Sequence, residues 1–169
     1  MKKIYQDIID KEKGNCASAA IASMLDKELA DVPYFYPDDS QFGKIISFMK
    51  LNGYEYIETL HNKNYNLIRQ SSKDYCFSNI KWYEDGLINH QNIKKFEGID
   101  GLFYAGVLSP LNFNINDGQW SSHAVVVDKN FNIVHDPNPM YKDLLRYPLA
   151  ELIEYNGITD IDVFEKIKL

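Results

Sequence analysis

The chain has 169 residues, of which 45% are hydrophobic and 25% charged, and a formal net charge of −6. That length sets a single domain over 1–169 with a core of its own, and the balance is that of an ordinary globular protein. The acidic charge, with only the isolated basic pairs Lys2-Lys3 and Lys94-Lys95, excludes a general nucleic-acid binder.

The start of the chain, Met1-Lys2-Lys3-Ile4-Tyr5-Gln6-Asp7, lacks an apolar signal core, and no later run approaches the length of a membrane span. The expected compartment is therefore the cytoplasm, with no membrane partner. The two cysteines, Cys16 and Cys76, are expected as reduced thiols rather than as a disulfide framework.

In chain order, 3–6 is expected as a short strand and 7–15 as a polar loop broken at Gly14. Ala17, Ala20, Ile21, Met24 and Leu25 recur at helical spacing, which predicts a helix over 16–25 with Asn15 as its N-cap. A second helix over 41–51 is capped by Asp38, Asp39 or Ser40 and stopped by Asn52-Gly53, and a strand over 53–60 follows. The stretch 61–98 has no sustained period, and short strands or a small helix are expected there. Strands follow at 102–108, ending at Ser109-Pro110, and at 124–127, with a loop over 112–122 between them. A tight turn at Asp128-Lys129-Asn130 returns the chain as a partner strand over 131–134. A short helix over 149–155 and a last strand over 161–167 complete the reading. Helices come first and most strands later, which predicts an α+β fold with a mainly antiparallel sheet.

Three separated fragments can carry chemistry together. Cys16 stands at the start of the first helix, where free N–H groups and the positive end of the helix dipole favour a thiolate and can hold an oxyanion. His123 precedes the apolar run Ala124-Val125-Val126-Val127, so it sits at the start of a rigid strand, a good seat for a general base and acid. The hairpin after it brings the His123 end of one strand beside the Asp136 end of the next. A carboxylate there is expected to accept the histidine Nδ1–H. Side-chain alternation then turns His135 away, as a non-catalytic neighbour. Asp136 is favoured as the orienting group, and Asn138 is the alternative if Pro137 redirects the chain. Gln6, upstream of the thiol, can donate to an oxyanion.

The fragments Tyr5-Gln6, Gly14-Asn15-Cys16-Ala17-Ser18-Ala19-Ala20, Ser122-His123-Ala124-Val125-Val126-Val127 and His135-Asp136-Pro137-Asn138-Pro139 resemble papain-like cysteine peptidases. Within that superfamily they look most like bacterial double-glycine leader peptidases, and also like small proteins of bacteria and their phages. The resemblance covers about a third of the chain. It implies a papain-like fold with the nucleophile helix packed on the sheet, Cys16 as nucleophile, His123 as base, Asp136 as orienter and Gln6 in the oxyanion hole. The sequence departs from the leader-peptidase pattern after Cys16, where Ala17-Ser18 stands, and Gln6 lies farther upstream of the cysteine than is typical.

The expected activity is hydrolysis of a peptide, isopeptide or amide bond in a peptide, protein or small amide substrate, through an acyl-enzyme and without a cofactor. An acyl transferase would use the same triad, and a non-catalytic binding protein could use the same fold. A metal site of Cys16, His123, His135 and Asp136 lacks the close ligand pairs of zinc sites, so no metal is expected. The sequence does not specify an oligomeric state.

Overall fold

In the computed structural model the described residues are 1–10, 13–63, 86–108, 122–141 and 155–169. Expectations for Cys76, for most of 61–98, for Ser109-Pro110, for nearly all of the 112–122 loop and for the 149–155 helix lie outside them. Two helices, α1 (Cys16–Met24) and α2 (Gln41–Leu51), precede all the described strands. These are β1 (Tyr54–His61), β2 (Phe103–Leu108), β3 (Ser122–Val127), β4 (Ile133–His135) and β5 (Ile158–Lys166). A one-turn helix, α3 (His90–Ile93), lies between β1 and β2, and the Asn89 side chain accepts from the Asn92 N–H to cap it.

The strands form one antiparallel sheet in the order β1-β5-β2-β3-β4, so the last strand of the chain is threaded into the interior of the sheet. The α+β expectation holds. Strand alternation gives the sheet two apolar faces. Ala124 and Val126 of β3 join α1, with Ile45 and Met49 of α2, in one core. Val125 and Val127 join Ile93, Phe103, Ile161 and Val163 in a second core on the opposite face. The helix α1 is buried on nearly every side, from Ala17 to Met24, and its four alanines let it approach β3 and β2 closely. Among the described residues no helix is long and apolar enough to cross a membrane.

Several boundaries differ from expectation for local reasons. Residues 3–6 form no strand, but they are hydrogen-bonded to the segment after β4, as detailed below. The hairpin turn runs through Asn132, because Asp128 Oδ1 accepts from the Asn130 and Asn132 N–H groups. Phe131 therefore lies in the turn, at a φ of 62°, and buries its ring in the second core instead of opening β4. The last strand begins at Ile158, three residues before the apolar pattern becomes regular. The second helix has the expected ends, and Gly53 takes a φ of 87° after its last turn.

Candidate active site

The loop before α1 closes on itself. Gly14 and Asn15 N–H groups donate to Asp10 and Ile8 carbonyls. A Cβ on Gly14 would stand 2.6 Å from the Asp10 oxygen, so this closure requires glycine. Asn15 occupies the N-cap position, but its side chain makes no cap. It faces back into the loop instead, where Oδ1 accepts from the Ile8 N–H and Nδ2 donates to Asp7 at 2.7 Å. The first N–H groups of α1 are thus left without a side-chain acceptor from Asn15, at the place where Cys16 stands.

Cys16 is a half-buried free thiol. Burial pushes its pKa up, but a hydrogen bond and charge interaction with His123 push it down, as do the backbone N–H groups of Ala124 and Ala17. The net position is below the ordinary thiol value. The Ala17 contribution is the helix-start N–H that the sequence leads one to expect, whereas the Ala124 contribution is not visible in the sequence. It follows from setting the start of α1 against the start of β3.

His123 and Asp136 are both nearly buried, with side-chain exposures of 7% and 9%. His123 Nε2 lies 2.8 Å from Asp136 Oδ1. Donation to the carboxylate fixes the tautomer and leaves Nδ1 to the thiol. The ring is therefore reversed relative to the expected Nδ1–carboxylate contact. The carboxylate approaches from beyond the end of β4, and the sulfur from the α1 side.

The choice between Asp136 and Asn138 has a geometric answer. Val126 pairs with His135, and that register, continued, would set Asn138 across from His123. The strand stops at His135 instead, and Asp136 Oδ1 accepts from the Asn138 N–H at 2.8 Å in a tight turn. The turn carries Asp136 to the ring. Asn138 spends its own Oδ1 on the Met140 N–H and opens the 3-10 turn Pro139–Tyr141. The His135 ring is engaged elsewhere, with Nε2 at 2.7 Å from the Ile4 carbonyl; alternation does not decide this, because the strand ends at His135 and the turn after it aims Asp136.

Gln6 is buried beside this assembly. Its N–H donates to the Pro137 carbonyl at 2.9 Å, one residue past Asp136. Its Nε2 donates to the Ile8 carbonyl, the same oxygen that receives the Asn15 N–H. Its amide also lies 3.5 Å from where a Cβ on Gly14 would be. The long spacing between Gln6 and Cys16 is thus taken up by the closed loop, and the Gln6 amide rests against the backbone just before the thiol. Its Oε1 is buried without a hydrogen bond among the described residues.

Tyr104 of β2 lies close enough to feel both the Cys16 charge and the carboxylates of β5. Burial, then Cys16, then Asp162 and Asp160 hold its hydroxyl protonated well above the ordinary phenol range. Among the described residues no cluster of three or more histidine, cysteine or acidic side chains is arranged to hold a metal ion. No family model, curated protein or solved structure matches the chain, so the site stands on its geometry.

Proposed function

We propose that the chain is a thiol hydrolase on a papain-like fold, acting on a peptide, isopeptide or amide bond. The observation that carries this reading is the Cys16 thiol at the start of α1 in hydrogen-bond contact with His123, whose far nitrogen is fixed on Asp136 at 2.8 Å; these contacts favour the thiolate against burial. An inert core cysteine would be driven the other way, because burial alone raises a thiol.

In this mechanism His123 Nδ1 takes the Cys16 proton, and the thiolate attacks the substrate carbonyl carbon. The C–S bond forms as the carbonyl π pair moves onto oxygen. The Cys16 N–H at the start of α1 and the second Nε2 hydrogen of Gln6 are the natural donors to that oxyanion. Collapse expels the amine, which takes the proton from Nδ1, and leaves a thioester. Water then gives a proton to Nδ1, attacks the thioester and releases the acid, and the proton returns to sulfur. Asp136 stays ionised and holds the ring through both transfers. A reducing cytosol, the compartment expected from the sequence, would keep the thiol competent.

The test is intact mass after exposure to a thiol-directed electrophile over a range of pH. Cys16 is expected to label fastest, with its half-maximal rate below the pH of about 8.5 typical of a free thiol. His123→Ala is expected to slow labelling and move that midpoint upward. Labelling at the rate of Cys76, unaffected by His123→Ala, would refute the hydrolase.

A further inference from the structure

We infer that His135 is a positioning residue, which clamps the Gln6 oxyanion donor to the segment that carries Asp136. The inference rests on the hydrolase reading and adds a role for the histidine that precedes the orienting carboxylate.

Two hydrogen bonds tie residues 4–6 to residues 135–137. A carbonyl can only accept, so His135 Nε2 carries a proton and donates it to Ile4 at 2.7 Å. Two residues on, the Gln6 N–H donates to Pro137 at 2.9 Å. Between them the Tyr5 ring meets the His135 ring edge-on, with centroids 5.1 Å apart. The two bonds flank Asp136, whose side chain meets His123.

The consequence is geometric. Residues 3–6 belong to no strand, so no sheet ladder holds Gln6 in place. Its position depends on this clamp and on the Ile8 carbonyl, while Ile4 itself is also anchored to α1, where the Ser23 hydroxyl accepts from its N–H at 2.9 Å and donates to its carbonyl at 3.3 Å. His135 is buried, and its hydrogen bond therefore excludes water and is costly to leave unmade. Burial pushes its pKa below the ordinary histidine value, the hydrogen bond to Ile4 opposes that shift in part, and the Lys3 charge adds to it. The oxyanion donor and the group that orients the base thus move as one unit. A displacement of about 1 Å in such a donor is enough to lose much of its effect.

Two probes separate this role from a merely structural one. Iodoacetamide reacts with the Cys16 thiolate by displacement at a CH2 carbon and develops no oxyanion. With 4-nitrophenyl acetate the sulfur attacks a carbonyl, passes through an oxyanion and releases 4-nitrophenolate, so its rate depends on the oxyanion donors. The quantity to measure is the ratio of the ester rate to the alkylation rate, in the full chain, with thermal melting as the fold control. His135→Phe keeps the ring bulk and removes the donor. It is expected to lower the ratio by about tenfold, part of the roughly hundredfold loss typical of deleting an oxyanion donor outright.

His135→Gln, which returns an N–H near the Nε2 position, is expected to restore most of the ratio. In a Gln6→Ala background, His135→Phe is expected to change the ratio no further. Equal falls in both rates, no rescue by glutamine, or a full His135→Phe effect without Gln6 would each overturn the clamp. If His135→Phe does not fold, His135→Asn takes its place, since its amide is polar but too short to reach Ile4. The wild-type alkylation profile keeps the two inferences distinct. An unactivated Cys16 there would sink the hydrolase and the clamp's role with it, whereas an activated Cys16 with an unchanged ratio in the variant would sink the clamp alone.

Discussion

Two buried acids lie on the same side of the sheet and are pushed in opposite directions. Cys16, where α1 meets β3, is held below its ordinary pKa. Asp162 of β5 alternates with Ile161 and Val163 of the second core, so it faces the α1 side with Phe164. Its carboxyl is pushed up to about 7. Burial raises both groups, so the partners set the difference. Cys16 faces a histidine and two backbone N–H groups, all of which favour the anion. Asp162 has the Asp160 charge beside it and one donor, Thr59, at 2.6 Å. A single hydroxyl does not offset burial and a like charge. Tyr104, on the same face, senses both groups.

Removal of His123 breaks this contrast most severely. Without the imidazole, burial dominates and the Cys16 pKa is expected to rise, as Asp162's already has. General acid–base groups contribute roughly 10²–10⁴-fold, and an ester rate lower by at least about a hundredfold is expected in His123→Ala. Stopped-flow release of 4-nitrophenolate measures it. A variant within a few-fold of wild type would remove His123 from the mechanism.

The carboxylate behind the imidazole is expected to matter less, and unequally. Asp136→Asn keeps an acceptor for Nε2–H but loses the charge, a difference of about 1 kcal/mol, or roughly fivefold in rate. Asp136→Ala should cost considerably more than that. Asn138→Ala should leave the rate near wild type and lower the melting temperature, because its Oδ1 holds the Met140 N–H and not the imidazole. A rate loss in Asn138→Ala larger than in Asp136→Ala would reverse the assignment of the orienting group.

The parts of this contrast were unequally legible in the amino-acid sequence. Cys16 and His123 stand at the starts of apolar runs, so helical spacing and strand alternation locate them without tertiary information. Asp136 was legible by its place after the hairpin. Its advantage over Asn138 was supported by chain order alone, because the deciding turn is a hydrogen bond between those two residues. Which imidazole nitrogen meets the carboxylate depends on the direction from which α1 approaches, and no local pattern records that. Asp162 had a signal in the alternation Ile161-Asp162-Val163-Phe164, which sets an acid on a core-facing position. Its neighbours on β1 and β2 became knowable only with β5 placed between those strands. His135 was set apart from the triad by an alternation that the structure ends at that residue, and its contact with Ile4 joins residues 131 apart in sequence.

The Asp162 side of the comparison predicts a stability effect. Its carboxyl moves from an ordinary 3.8 to about 7 on folding. Between those values the folded chain holds a proton that the unfolded chain has lost. Stability therefore falls as pH rises through that window and stays lower above about 7. Asp162→Asn is expected to remove this part of the fall and to gain on the order of a few kcal/mol at pH 8 relative to wild type. Urea unfolding at pH 5 and pH 8 measures it. A variant that gains nothing at pH 8 would show that the carboxyl ionises without cost in the folded chain.

The smallest expected effect lies one residue farther out, at the hydroxyl that partly counters the burial of Asp162. Thr59 Oγ1 donates to Asp162 Oδ1 and also meets the Tyr56 hydroxyl at 2.7 Å. Thr59→Val keeps the shape of the side chain and removes both contacts. Because this bond lowers the Asp162 pKa, its loss is expected to raise that pKa further. The cost should depend on pH in a definite way. Below about pH 6 the carboxyl is neutral, and the lost bond is worth about 1 kcal/mol. At pH 8 it is ionised, and a bond to a charged group is worth about 1.5–3 kcal/mol. The destabilisation should therefore grow between those pH values in the wild-type background and stay flat in Asp162→Asn. A pH-independent cost in both backgrounds would mean that Thr59 contributes packing alone, and that the hydroxyl does nothing for the carboxylate beside it.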